Sequence, residues 1–117
     1  MSDLTLDRVL GEWKKDCVID EVELDKSSLD TPCLHSKYLD YLYVFKKELR
    51  KLTRLKKSIP ASDRRNNPDF VKLEEEIEVT ENAIDSCERI IQAISQRQWI
   101  IKNTISWRQF TQGVDAL

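Results

Sequence analysis

The sequence predicts an all-α fold, and three observations carry that expectation. Apolar residues return at heptad spacing over residues 70–105, and a second stretch, 32–58, repeats them at steps of three and four. Two glycines and three prolines leave too little punctuation for a many-stranded β fold. At 117 residues, 40% hydrophobic and 34% charged, the chain suits one helical domain. The expected architecture is a long antiparallel helical hairpin with a short N-terminal docking helix.

Residues 4–15 read as a short amphipathic helix with Leu6, Val9, Leu10 and Trp13 on one face and Gly11 as its weak point. Such a helix is too short to stand alone and must dock. Residues 16–30 follow as an irregular or loosely helical connection, with Val18, Ile19, Val22 and Leu24 as anchors, completing an N-terminal unit over 1–30. Thr31 and Pro32 suit a cap and a first turn, which starts the second helix at 32.

That helix is expected over 32–58, with Leu34, Tyr38, Tyr41, Leu42, Phe45, Leu49, Leu52 and Leu55 as its buried stripe. Lys56 alone among its cations falls on the stripe, near the end, where it can snorkel. Ile59-Pro60 ends the helix, because the residue before proline is disfavoured in the α region. Residues 61–67 form a polar connector, and Pro68 suits the first turn of a third helix over 68–110.

The third helix carries two interleaved apolar phases. One holds Phe70, Ile77, Ile84, Ile91 and Ile105; the other holds Leu73, Thr80, Cys87, Ile94 and Ile101, with Gln98 and Thr80 as the breaks. At 1.5 Å per residue, 70–105 would span about 54 Å, more than a domain of this size covers alone. Past residue 98 the apolar letters leave the seam. Ile101 and Ile105 stay on it, Ile100 and Trp107 fall opposite, and Trp99 and Phe110 lie between. A helix end that is apolar all round is expected to be buried between subunits, so Trp99, Ile100, Ile101, Ile105, Trp107 and Phe110 form the candidate oligomer interface.

The net charge of −2 conceals a strong segregation. Residues 46–65 hold nine basic side chains against Glu48 and Asp63, whereas 69–89 hold eight acids against Lys72 and Arg89. With Phe45 at zero on the wheel, Lys46, Lys47, Arg50, Arg54 and Lys57 fall within roughly 100° to 200°, and Tyr43 lies among them. A solvated face that partly pairs with Glu74, Glu75, Glu76, Glu78 and Glu81 is the plain reading. Two features favour a binding face: the stripe has almost no interleaved acid, and an aromatic ring stands on it. Cations in a row beside an accessible ring suit single-stranded nucleic acid, the cations following phosphates while a base stacks on the ring. The candidate contacts are Tyr43, Lys46, Lys47, Arg50, Lys51, Arg54, Lys57, Arg64 and Arg65.

Other classes are disfavoured. Cys17, Cys33 and Cys87 are odd in number and lack a Cys-x-x-Cys pair, so free thiols are expected. Cys17, Cys33 and His35 have donor atoms for a metal but not the spacing of a common zinc pattern, and no metal or cofactor is expected. No phosphate loop, nucleophile motif or apolar acid pair points to an enzyme. No run approaches the ~20 apolar residues of a membrane span, and Asp3 and Asp7 stand where a signal peptide would be basic, so a cytoplasmic location is expected.

Three blocks of the chain resemble the UvsY family, the recombination mediators of T4-like bacteriophages. They are EWKKDCVIDEVEL (12–24), LHSKYL with FKKEL (34–39 and 45–49), and ISQRQWIIKNTISWRQFTQG (94–113). In the last, Arg97, Ile101, Lys102, Ile105, Arg108, Phe110 and Gly113 occupy matching places. The resemblance implies a non-enzymatic protein of the infected host's cytoplasm that binds single-stranded DNA and the single-strand-binding protein. It also implies help for a RecA-like recombinase, UvsX, in nucleating its filament, and homo-oligomeric rings, hexamers or heptamers, assembled through the C-terminal region. The family's basic element after the central helix falls near 60–64 here, where the letters differ, and the connector is shorter. The DNA contacts above therefore rest on chemistry. The competing readings are a helical coiled-coil adaptor whose basic face docks an acidic protein, and a small nuclease accessory, which the missing carboxylate cluster disfavours.

Overall fold

The computed structural model describes residues 4–18 and 24–116, with side chains over 4–18 and 30–112, and among these every regular element is helical. In order they are α1 (Leu6–Asp16), α2 (Leu24–Ser58), a single 3-10 turn (Ala61–Asp63) and α3 (Pro68–Ala116). The molecule is a rod of 80 × 21 × 17 Å. Its length follows from α3, whose 49 residues rise about 1.5 Å each.

Local chemistry explains most of the boundaries. Thr5 caps α1 by accepting a hydrogen bond from the Arg8 amide at 3.2 Å, and Asp7 near the start with Lys14 and Lys15 near the end complement the helix dipole. Ser58 is the last residue of α2, as the following Ile59-Pro60 requires. Asn66 takes the left-handed conformation at φ 61°, which asparagine tolerates better than most residues. The side chain of Asn67 then accepts from the amides of Asp69 at 2.9 Å and Phe70 at 3.4 Å, capping α3 just before Pro68.

Two boundaries differ from expectation. Helix α2 begins at Leu24 and runs through Pro32, so Thr31-Pro32 is not a helix start. Pro32 has no N–H for the preceding turn, yet the helix continues on both sides, and Thr31 beside it is buried. Helix α3 extends to Ala116 rather than ending at 110. Of the connection's expected anchors, Val18 is exposed, while Ile19, Val22 and the Leu24 side chain lie outside the described residues.

The core joins all three helices. Val9 of α1, Tyr38 and Phe45 of α2, and Ala83, Cys87, Ile90 and Ile94 of α3 form one buried cluster, with Leu6, Trp13, Leu34, Tyr41, Leu42, Ile84 and Ile91 packed against it. Leu10 and Leu55, placed on buried stripes by their spacing, stand exposed at the edges. Lys56 behaves as its position predicts, half-buried with its ammonium 5.5 Å from the Phe70 ring centroid.

The seam of α3 is rotated from the expected one. Its buried residues are Thr80, Ala83, Cys87, Ile90, Ile94, Arg97 and Ile101, at alternating steps of three and four. Thr80, Cys87, Ile94 and Ile101 belong to one expected phase. Their inward companions are Ala83, Ile90 and Arg97, whereas Phe70, Ile77, Ile84, Ile91 and Ile105 flank the seam half-buried. Hydrophobic letters place a helix face only to within a residue or so. What packs on that face settles its rotation, and here small Ala83 and long Arg97 both turn inward.

Candidate nucleic-acid interface

The outward face of α2 presents Tyr43, Lys46, Lys47, Arg50, Lys51, Arg54 and Lys57, all exposed. They lie there because the opposite face is fixed by Tyr38, Phe45 and Leu52, whose burial sets the rotation of the helix. An open furrow of ≈ 750 Å³ runs among Tyr43, Val44, Lys47, Glu48, Arg50, Lys51 and Arg54. The Arg50 guanidinium carbon stands 6.0 Å from the Tyr43 ring centroid, so the ring already accepts a cation on one face.

Among the described residues, no ion pair links this stripe to the acids of α3. Ion pairs of the described residues include Arg8–Glu12, Lys37–Glu12, Lys37–Asp16 and Arg89–Asp85. Glu74, Glu75, Glu76, Glu78 and Glu81 are all exposed on α3. Exposed cations without internal partners keep their hydration and counterions, which is the condition a polyanion exploits on binding.

The connector arginines behave differently. Arg64 is half-buried, donates from Nε to the Ile59 carbonyl at 3.1 Å, and lays its guanidinium 5.4 Å from the Phe70 centroid. It braces the turn, whereas Arg65 is exposed; neither lines the furrow.

The candidate oligomer interface also divides. Trp99, Ile100, Trp107 and Phe110 are exposed, at 67%, 48%, 67% and 62%, and the Trp107 and Phe110 rings stack at 5.8 Å and 29°. Ile101 is buried within the chain, continuing the internal seam past Ile94, and Ile105 is half-buried.

Sequence reading missed a polar clasp that joins α1 to α2 and α3. Asp16 accepts from Lys37 Nζ at 2.6 Å and from the Tyr38 hydroxyl at 2.9 Å, and the Tyr41 hydroxyl donates to Glu12 at 2.8 Å. Trp13 meets the Tyr38 ring edge-on at 5.5 Å. Arg97, 6% exposed, donates from one terminal nitrogen to the carbonyls of Asp16 at 2.6 Å and Val18 at 3.4 Å. Its Nε is buried without a hydrogen-bond partner among the described residues. Burial alone would raise the Asp16 carboxyl, but the bonds from Lys37 and Tyr38 and the nearby charges outweigh it and hold it below its ordinary value. Burial would likewise lower Lys37, and Asp16 and Glu12 outweigh it, so the ammonium is held above its ordinary range. The visible signal was Arg97 itself, a charge standing between Ile94 and Ile101 on the seam.

The thiols are unpaired, with Cys17 and Cys33 exposed and Cys87 buried and pushed up to about 11 by burial and by Glu88. Among the described residues, no cluster of His, Cys, Asp or Glu is arranged to hold a metal, and no helix is long and apolar enough to cross a membrane.

Fold and surface together define an elongated all-helical chain with an exposed cationic stripe along one helix and exposed apolar side chains near the end of another. The chain belongs to the UvsY family: the family model for "Recombination, repair and ssDNA binding protein UvsY" matches residues 12–67 and 65–114. It is similar to the crystal structure of the bacteriophage T4 recombination mediator protein UvsY, with a TM-score of 0.84 and 25% identity over 93% of this chain and 99% of that one. A second crystal form of the T4 protein gives a TM-score of 0.81 at 23% identity, over 92% of this chain and 99% of that one. No curated protein sequence matches the chain.

Proposed function

We propose that this protein is a non-enzymatic recombination mediator that binds single-stranded DNA without strong sequence preference. It promotes loading of a RecA-like recombinase, similar to UvsX, onto strands covered by the single-strand-binding protein. The observation that carries this reading is the exposed cation stripe of α2, unpaired with the acids of α3 and holding Tyr43 as a stacking surface. Membership of the UvsY family supports it.

In this reading α2 and α3 act as an antiparallel hairpin whose apolar end, through Trp99, Ile100, Trp107 and Phe110, joins subunits into a ring of six or seven. One stripe binds a strand weakly; copies around a ring bind it together and raise affinity through effective concentration. The ring holds the strand in a shape that the binding protein tolerates poorly and the recombinase favours. Differential affinity for the two forms is essential, since equal binding would shift nothing.

The test is fluorescence anisotropy with labelled oligo-dT at several lengths and salt concentrations, paired with light scattering. The expected result is binding that needs a minimum strand length and weakens with salt by roughly 0.7 log units per phosphate contact per decade. Length-independent or absent binding would put the adaptor reading in front, with the stripe docking an acidic protein.

A further inference from the structure

We infer that a second, apolar hollow beside the cation stripe receives a nucleobase of the bound strand, and that Glu48 makes this site favour cytosine over thymine. The inference rests on the single-stranded DNA reading above and adds to it a base-selective subsite.

The hollow, ≈ 250 Å³, opens where the first residues of α1 meet α2 and α3. Its lining is mostly apolar, with Leu6, Phe45 and Ala83 beside buried Thr80, and exposed Val79 also borders it. The volume is several times the roughly 30 Å³ of a liquid water molecule, room for a single-ring base. Its position gives the occupant. Val44 and Glu48, one helical turn apart on α2, line both this hollow and the furrow of Lys47, Arg50, Lys51 and Arg54. A nucleotide lying across that ridge places its phosphate among the cations and its base against the apolar lining. A strand offers this combination of anion and flat apolar ring at every residue.

Glu48 is the feature that phosphate binding leaves unexplained. Between 46 and 57 it is the sole acid, and its charge opposes the stripe around it. On the ridge beside an apolar hollow, a carboxylate has a use: it accepts a hydrogen bond from the exocyclic amine of cytosine and repels the O4 acceptor of thymine. Glu48 also stands near the start of α1, where a negative charge suits the helix dipole. That role would appear in stability and not in base preference.

The experiment compares labelled oligo-dC and oligo-dT of equal length by anisotropy, on the full-length assembled protein, at slightly alkaline pH where oligo-dC stays unpaired. The wild type is expected to bind oligo-dC about fivefold tighter. Glu48→Gln is expected to bring the ratio close to one while raising affinity for oligo-dT. Val79→Trp, a change at an exposed bordering residue, is expected to flatten the ratio by obstructing the hollow while leaving binding of an abasic strand unchanged. Equal wild-type binding of both strands, or a preference that survives Glu48→Gln, would overturn the subsite and leave the stripe intact. If neither strand binds, the DNA reading fails and the subsite with it.

Discussion

Lys37 and Lys47 stand on the same helix and lead opposite lives. Lys37 is pinned between Asp16 at 2.6 Å and Glu12 at 3.5 Å, and with Tyr38, Tyr41 and Arg97 it ties α1 to the rest of the molecule. Lys47 points from the outward face, with no ion pair among the described residues. The difference teaches how to sort charges in a chain that is one-third ionisable. Satisfied, half-buried charges belong to the fold, whereas a contiguous exposed row without ion pairs is open to a ligand, as the proposed DNA contact requires.

Variants that break or sharpen this contrast are ordered by expected effect. Tyr38→Ala strikes the fully buried centre of the clasp and core, and is expected to cost about 3–5 kcal/mol, read as a lower urea midpoint. Trp107→Ala with Phe110→Ala removes two exposed rings that stack on each other. Helicity by circular dichroism should persist while light scattering shows smaller assemblies and DNA affinity falls by about a hundredfold or more. An unchanged assembly size would move the interface elsewhere.

Lys37→Met leaves Asp16 without its closest donor and is expected to cost about 1–3 kcal/mol with little change in the DNA salt slope. Lys47→Ala and Arg50→Ala should do the reverse, leaving the melting temperature nearly fixed and each reducing the salt slope by about 0.7. Equal effects of Lys37→Met and Lys47→Ala on both measurements would erase the distinction between the two lysines.

The clasp also sets a pH window. The Asp16 carboxyl is depressed in the fold, so its contribution is present above its unfolded value near ~3.9 and fades as pH falls through the lower folded value. The Lys37 ammonium is raised, so its contribution is full below ~10.4 and is lost as pH rises through its higher folded value. The clasp's contribution to stability, measured by urea titration, should therefore be constant across neutral pH. Asp16→Asn should remove the acid-side slope that this carboxyl supplies.

Much of this was legible in the letters, for identifiable reasons. Ile59-Pro60 and Pro68 act on their own neighbours, so the turn between α2 and α3 could be read directly, although the Asn67 cap appeared only in the structure. The stripe was equally readable, since Phe45 and Leu52 on one side of a helix dictate that Lys47 and Arg54 lie on the other. Arg64 was not, because its letter matches that of a free surface arginine and only the folded turn brings the Ile59 carbonyl and the Phe70 ring to it. Pro32 misled because a local rule was overruled by helix on both sides of it.

By itself, then, the sequence determined that the chain is helical, where α2 ends and α3 begins, and that one face of α2 is cationic. Each of these depends on spacing along the chain or on a residue's own backbone limits. Only the tertiary structure decided which phase of α3 turns inward, that Arg97 reaches the Asp16 carbonyl 81 positions away, and that Ile101 is buried while Trp107 and Phe110 are not. Those facts depend on contacts between distant segments, and no periodicity within one segment encodes the rotation of another against it.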